Sequence, residues 1–219
     1  MEIQKNKIFV QIGTNNGHDE FNEMVRKLEP SMVILVEPNK LLNDTIHRNY
    51  SNIDNVFLEN VAITEENKGK VKLFLPKDVP GKSASVNGVH YGDPGFSLLP
   101  MNDWGDDFEI IEADSMTVNE LCEKYHINNI HFLQIDTEGY DSEIIKSIDF
   151  NKVSVDIIKY ERWTFLEEAF TRHGEKCKLY GMNGMNYVSN LLESLDYTVT
   201  TLPYDMLATK NNIISEAEV

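Results

Sequence analysis

The most restrictive feature of this sequence is a series of short apolar runs, each ending at a residue that strand interiors rarely hold. Residues 8–12 read IFVQI and stop at Gly13, and residues 32–36 read MVILV and stop at Glu37-Pro38. Continuous apolar runs of this length are typical of strands buried on both faces, as in parallel sheets. The residues between the two runs have helical periodicity: Phe21, Met24, Val25 and Leu28 repeat at i, i+3, i+4 and i+7. A chain that alternates such strands and helices is expected to be an α/β protein.

The same pattern continues along the chain and predicts a Rossmann-like architecture. Further strands are predicted at residues 56–63, 71–75, 108–113, 130–135 and 155–160, and a terminal hairpin at 197–202 and 206–209. Thr117 and Glu120 have the spacing of a capping box at the start of another amphipathic helix. Because strand–helix–strand connections are right-handed, we expect a doubly wound, mostly parallel sheet with an antiparallel C-terminal hairpin strand.

Composition and charge narrow the class of protein. The chain has 219 residues, 41% of them hydrophobic, and 36 Asp and Glu against 20 Lys and Arg, for a net charge of −16. This acidity argues against nucleic acid or an anionic membrane as the main partner, because both require a basic surface. The sequence has no apolar run long enough to span a bilayer and no internal repeat or linker. We therefore expect one domain over residues 1–219, in the cytoplasm, that binds neither nucleic acid nor a membrane.

One segment, residues 76–108, lacks strand or helix periodicity and is rich in glycine and proline. Long segments of this kind in a compact domain are typically lids or binding loops, although a decorative insertion is the alternative. We predict that this segment forms the substrate side of the site and that His90 is a candidate base. Its short polar and aromatic side chains make Ser83, Ser85, Asn87 and Tyr91 the candidates for substrate binding.

Residues suited to binding and catalysis follow the predicted strands. In open α/β sheets, ligands bind at the carboxyl ends of the strands. The turn Gly13-Thr14-Asn15-Asn16-Gly17 follows the first strand and Glu37 follows the second. Asn60 belongs to the third predicted strand, while Asp136 and Glu161 follow two later ones.

The glycine turn and Glu37 together predict an adenosine-containing ligand. A turn that opens a helix binds phosphate or carboxylate groups, and an acid at the position of Glu37 accepts hydrogen bonds from ribose hydroxyls. The dinucleotide fingerprint G-x-G-x-x-G would place His18 where a third glycine is required. A G-x-G-x-G pattern fits with one change, Asn15, which tolerates positive φ. On these residues alone, an NAD-dependent oxidoreductase and an enzyme that uses S-adenosylmethionine both stay open.

Four blocks of the chain, in this order, resemble the motifs of the FkbM-like methyltransferases. They are QIGTNNG at residues 11–17, VEPN at 36–39, NVA at 60–62 and LQIDTEGYD at 133–141. The strand that ends at Glu161 is similar to a further acidic strand end of that family. The resemblance extends from about Phe9 to Glu161, and the block Asp136-Thr137-Glu138-Gly139 is its most specific part.

The resemblance implies a class I methyltransferase fold, S-adenosylmethionine as methyl donor, and O-methylation of a sugar, glycan or other hydroxylated metabolite. Gly13, Asn15 and Gly17 would surround the methionine part of the donor, and Glu37 would hold the ribose. Asn60 and Val61 would flank the adenine, and Asp136 would lie near the sulfonium or amino group. Thr14 and Pro38 belong to the same donor-binding motifs. The family usually has an acid where this chain has Gln11, so contact with the donor's amino group is expected to depend more on backbone carbonyls and Asp136.

Methyl transfer is an in-line displacement, so most of the catalysis can come from positioning the nucleophile and the methyl group. A sugar hydroxyl is a weak nucleophile and benefits from a general base. The candidates are Asp136, Glu138 and Glu161 at the strand ends, together with His90. Several acids in one cleft can also hold Mg²⁺ against vicinal hydroxyls, although the sequence does not require a metal. A non-catalytic module that acts by protein binding is a further alternative.

Overall fold

The computed structural model describes residues 7–76, 83–86, 89–92, 108–162 and 182–213. The helices are α1 (Glu20–Leu28), α2 (Asn43–Asn49), α3 (Val118–Tyr125), α4 (Asp141–Ser147) and α5 (Met182–Ser194), with a 3₁₀ turn at Lys40–Leu42. The strands are β1 (Ile8–Ile12), β2 (Met32–Val36), β3 (Val56–Glu59), β4 (Val61–Ile63), β5 (Lys70–Pro76), β6 (Ser83–Val86), β7 (Val89–Gly92), β8 (Phe108–Met116), β9 (Asn129–Ile135), β10 (Ser154–Glu161), β11 (Tyr197–Thr201) and β12 (Asp205–Lys210).

Seven strands form the main sheet in the order β11-β12-β10-β9-β1-β2-β3. The pairs β10–β9, β9–β1, β1–β2 and β2–β3 are parallel, whereas β12 is antiparallel to both β10 and β11. The order reverses between β1 and β9, which is the switch point where ligands bind in open α/β sheets. The predicted doubly wound sheet with an antiparallel C-terminal hairpin is confirmed.

Apolar side chains cover both faces of the central strands. On one face, Val10, Ile12 and Leu133 pack in a cluster that includes buried residues of α3, α4 and α5. On the other, Phe9 and Phe132 pack with Phe21 of α1. The central strands are therefore buried on both sides, as their continuous apolar sequences predicted. Among the described helices, none is both long and apolar enough to cross a bilayer.

The structure corrects the prediction of a single strand at residues 56–63. This stretch forms two strands in different sheets, β3 at the edge of the main sheet and β4 in a three-stranded sheet of order β4-β8-β5. The chain changes sheets at Asn60, which belongs to neither strand. Both strands are apolar, so the hydrophobic pattern alone carries no sign of the change of partner.

The segment predicted to lack regular structure contains two short strands. Residues 83–86 and 89–92, β6 and β7, pair antiparallel as a separate two-stranded sheet. The rest of the segment from residue 77 to 107 lies outside the described residues.

The capping box predicted at α3 is confirmed. Thr117 Oγ1 accepts the Glu120 N–H at 3.1 Å, and Glu120 Oε2 accepts the Thr117 N–H at 2.8 Å. These two bonds satisfy N–H groups that have no partner within the helix.

We predict that Thr117→Ala lowers the free energy of unfolding by about 1 kcal/mol, because the Glu120 N–H loses its acceptor. Thr117→Ser is the matched control, since it keeps the hydroxyl, and it should stay close to the unmutated chain. Chemical denaturation of the three proteins measures the difference. Equal stability of the alanine and serine variants would contradict the role of the cap.

Candidate active site

The turn after β1 brings the start of α1 against the end of β2. The N–H groups of Gly13 and Thr14 both donate to the Val36 carbonyl, at 3.0 and 3.1 Å. Gly13, Asn15 and Gly17 all have positive φ, at 84°, 50° and 69°. The expectation that asparagine replaces the middle glycine without loss of the turn is therefore confirmed.

Gly13 also lies directly against the backbone of Asp136, the residue that follows β9. A Cβ atom on Gly13 would lie 1.8 Å from the carbonyl oxygen of Asp136. In the same region the Asp136 N–H donates to the Ile12 carbonyl at 2.9 Å, which continues the β1–β9 pairing past the end of both strands. No side chain fits at position 13 unless these backbones separate.

Glu37 lies directly after β2, and its carboxylate faces the glycine turn. Oε2 accepts the Asn15 N–H and Oε1 accepts the Asn39 N–H, both at 2.8 Å. The residue is only 4% exposed, which excludes the alternative of a freely solvated strand-end acid. Burial raises the pKa of Glu37 to about 7 from its ordinary 4.5, against the opposing effect of the two N–H bonds.

The block after β9 forms a turn that is held from inside by Asp141. This carboxylate is completely buried and accepts both the N–H and the hydroxyl of Thr137. Its other oxygen accepts the Glu161 N–H at 2.9 Å, so Asp141 joins the ends of β9 and β10. Burial raises the pKa of Asp141 to about 6, although these hydrogen bonds oppose the shift.

Asp136 is open to the cleft on one side and surrounded by protein on the other. The surrounding protein raises its pKa well above the ordinary value, and the negative charges of Asp141 and Glu138 add to the shift. A raised pKa makes the ionised carboxylate a stronger proton acceptor, which suits a general base.

The glycine turn, Glu37 and Asp136 meet in one cleft, whose empty space of about 630 Å³ includes space open to solvent. Of the residues predicted from the sequence, seven line it: Gly13, Asn15, Glu37, Pro38, Val61, Asp136 and Glu138. The sequence analysis missed the apolar wall, which consists of Ile12, Val36, Ala62, Ile63 and Leu73. Leu73 comes from β5, so the second sheet contributes one side of the cleft.

Other predicted residues lie next to the cleft and are not part of its wall. Thr14 is buried in the glycine turn, and Gly17 packs against the ring of Tyr50. The amide of Asn60 donates to the Glu37 carbonyl at 2.8 Å. The backbone N–H of Glu161 donates to Asp141, which also accepts the Thr137 N–H in the turn after β9.

The predicted acceptor residues are described only in part. Ser83, Ser85, His90 and Tyr91 lie in the β6–β7 hairpin, where Ser85 pairs with His90. Their side chains, and the whole of Asn87, lie outside the described part of the structure. Their roles in substrate binding and catalysis therefore stay predictions.

Gln11, the departure from the family pattern, points toward α1. Its Nε2 donates to Asp19 Oδ2 at 2.6 Å, and the same Asp19 caps α1 by accepting the Asn22 N–H. Gln11 is 1% exposed, and its Oε1 has no hydrogen-bond partner among the described residues. The side chain therefore joins β1 to the start of α1.

No group of three or more His, Cys, Asp or Glu side chains within the described ranges is arranged to hold a metal ion.

The profile of the methyltransferase FkbM domain family matches residues 11–199, most of the chain. The chain belongs to this family. Family membership supports methyl transfer as the class of reaction and favours it over the NAD-dependent oxidoreductase that the glycine turn left open. No curated protein sequence matches the chain at a significant level.

Solved structures of methyltransferases have the same fold. The chain is similar to the methyltransferase FkbM of Methylobacillus flagellatus KT, at 13% identity and a TM-score of 0.50, over 95% of this chain and 44% of that one. It is also similar to an O-methyltransferase from Bacillus cereus in complex with SAH, at 12% identity and a TM-score of 0.50, over 95% of this chain and 76% of that one. Our chain thus spans less than half the length of the Methylobacillus protein, and at these identities the likeness shows the fold alone.

We predict that Gly13→Ala destabilises this FkbM-family domain much more than Gly69→Ala. Both glycines have positive φ, but a Cβ on Gly69 meets no atom within 4 Å. The control should therefore lose about 1–2 kcal/mol from backbone strain alone, and Gly13→Ala at least about 2 kcal/mol more from the clash with Asp136. Denaturant unfolding of both variants gives the comparison. Similar losses in the two would mean that the strand ends separate easily.

Proposed function

We propose that this chain binds S-adenosylmethionine in the cleft and transfers its methyl group to a hydroxyl of a sugar, glycan or other small hydroxylated metabolite. The observation that carries the proposal is the geometry of Glu37. Each carboxylate oxygen has two lone pairs and uses one on a backbone N–H, so two acceptor sites remain. Two vicinal ribose hydroxyls need two such acceptors.

The walls of the cleft fit the rest of the donor. The side chains of Val61, Ala62 and Leu73 form an apolar surface beside Glu37, suited to a flat nucleobase. Two acidic residues, Asp136 and Glu138, also line the cleft. When bound, S-adenosylmethionine supplies a methyl group on a positively charged sulfur, and the acidic wall favours that charge.

The acceptor site is proposed at the ends of β9 and β10, with the segment at residues 76–108 as its lid. Asp136 lines the cleft and is proposed as the general base, because its raised pKa makes the carboxylate a stronger proton acceptor. Glu138, Glu161 and His90 stay as alternative bases. The domain is proposed to act on small molecules or glycans in the cytoplasm, and its acidity opposes binding to nucleic acid or anionic membranes.

We predict that donor affinity rises with pH through the pKa of Glu37. Ribose hydroxyls donate to the ionised carboxylate, so a protonated Glu37 must first lose its proton. The pKa of Glu37 is about 7, so affinity for SAH, the demethylated product of S-adenosylmethionine, should fall about tenfold between pH 8 and pH 6. In the free protein the sign is opposite: fold stability falls as pH rises from 4.5 toward 7, because the Glu37 carboxyl ionises in the unfolded chain before it ionises in the folded one.

Isothermal titration calorimetry with SAH measures this dependence. Glu37→Ala should weaken binding by roughly 1.5–3 kcal/mol and lose the pH dependence that belongs to Glu37. Wild-type protein that binds no SAH at millimolar concentration would refute the proposed function. An unchanged affinity of Glu37→Ala for SAH would show that the ribose does not bind at Glu37.

We predict that Asp136→Asn lowers the rate of methyl transfer by about 10²–10⁴-fold, because the amide cannot accept the hydroxyl proton. The assay follows label from methyl-labelled S-adenosylmethionine into a panel of neutral sugars and glycans. Asp156→Asn is the control, since Asp156 lies toward the other end of β10 beside His131. Label in the acceptor as an ether would support O-methylation. No transfer to any acceptor despite tight SAH binding would favour a non-catalytic module.

A further inference from the structure

Two asparagine side chains beside the cleft form a closed amide pair. Asn43 opens α2, and Asn60 lies where the chain passes from β3 to β4. Asn43 Nδ2 donates to Asn60 Oδ1 at 2.9 Å, and Asn60 Nδ2 donates to Asn43 Oδ1 at 2.8 Å. Rotating either amide by half a turn would set donor against donor and acceptor against acceptor, so each amide fixes the orientation of the other.

Asn60 uses its remaining amide hydrogen on the backbone of Glu37. Nδ2 of Asn60 donates to the Glu37 carbonyl at 2.8 Å. Both hydrogens of this amide are therefore engaged by protein atoms, and none is left to donate to a nucleobase. The family resemblance placed Asn60 beside the adenine, but these bonds direct its amide to the acidic residue.

The bond to Glu37 continues the pairing of β2 with β3 past the end of the strands. The Glu37 N–H donates to the Glu59 carbonyl at 2.9 Å, as in a regular ladder. One residue later the chain leaves the main sheet, and the side chain of Asn60 provides the partner for the Glu37 carbonyl. Both polar groups of the Glu37 backbone are thus held, the N–H by Glu59 and the carbonyl by Asn60.

Fixing the Glu37 backbone fixes its carboxylate. The carboxylate is buried and already bound to the N–H groups of Asn15 and Asn39, so a tilt of the backbone would strain these short bonds. The direction of its two free acceptor sites depends on that orientation.

We infer that Asn60, locked by Asn43, is a positioning residue that aims Glu37 at the ribose hydroxyls of the donor. The inference rests on the proposed function, in which Glu37 binds the ribose. It assigns Asn43, which no part of the sequence analysis singled out, a role in donor binding through Asn60.

The test compares the affinity of SAH with that of its 2′-deoxy and 3′-deoxy analogues by calorimetry. Wild-type protein should prefer SAH over each analogue by about tenfold, the effect of one hydrogen bond to a charged group. Asn60→Ala and Asn43→Ala should weaken SAH binding by about tenfold and reduce this preference to about twofold, because Glu37 no longer faces the hydroxyls. In a Glu37→Ala background, Asn60→Ala should change affinity by less than about twofold.

Asn119→Ala is the matched control. Asn119 also holds backbone with its amide, donating to the Ser147 carbonyl at 3.1 Å and accepting the Asp149 N–H at 3.0 Å, but it lies on α3. It should lower stability and leave the preference for SAH unchanged. If Asn60→Ala does not fold, Asn43→Ala carries the test, because its hydrogen bonds reach Asn60 and not Glu37.

Three outcomes would overturn the inference. Equal losses of SAH and of the deoxy analogues in Asn60→Ala, persisting without Glu37, would show a direct contact with the base. An unchanged preference for SAH over the deoxy analogues in both asparagine variants would show that Asn60 does not orient Glu37. Failure of the wild-type protein to bind SAH would refute the proposed function and the inference with it. The first titration, of wild-type protein with SAH, separates this outcome from the other two.

Discussion

The cleft exists because two backbones touch at the switch point of the sheet. Gly13 lies so close to the Asp136 carbonyl that only a hydrogen fits between them. This contact sets the separation of the ends of β1 and β9, while the two N–H bonds to the Val36 carbonyl set the distance to β2. Glu37 and Asp136, which follow the strands on either side of β1, therefore line the same cleft. A side chain at position 13 would alter every one of these distances at once.

The carboxylates around this space are stabilised mainly by hydrogen bonds from neutral donors. Glu37 binds two backbone N–H groups, and Asp141 binds the N–H and hydroxyl of Thr137 and the N–H of Glu161. Neutral donors compensate only part of the cost of burying an ionised acid, so the pKa of both carboxyls stays raised. Ligand groups that donate hydrogen bonds or carry positive charge complete the compensation. Binding and ionisation are thus coupled in this cleft.

Sequence reasoning located the strand ends because continuous apolar runs and their breaks are local features. The Gly13 turn, Glu37 and Asp136 were found in this way, and all three line the cleft. The change of sheet at Asn60 was missed, because it depends on which distant strand pairs with residues 61–63. The β6–β7 hairpin was missed because its strands are short and lie among glycines. Asp141 was visible in the motif, but its burial depends on the end of β10, twenty residues later.

Asn60, where the chain leaves the main sheet, also binds the backbone of Glu37, the acid at the end of β2. Asn60 binds the Glu37 carbonyl, and the next residues, Val61 and Ala62, form part of the apolar wall with Leu73 of β5. A movement of the second sheet would therefore pull on Asn60 and change both the wall and the direction of the Glu37 carboxylate. β5 ends and β8 begins at the borders of the segment proposed to cover the acceptor, so the sheet that supplies the apolar wall also borders the proposed lid. The two halves of the cleft are mechanically joined at the place where the sheets divide.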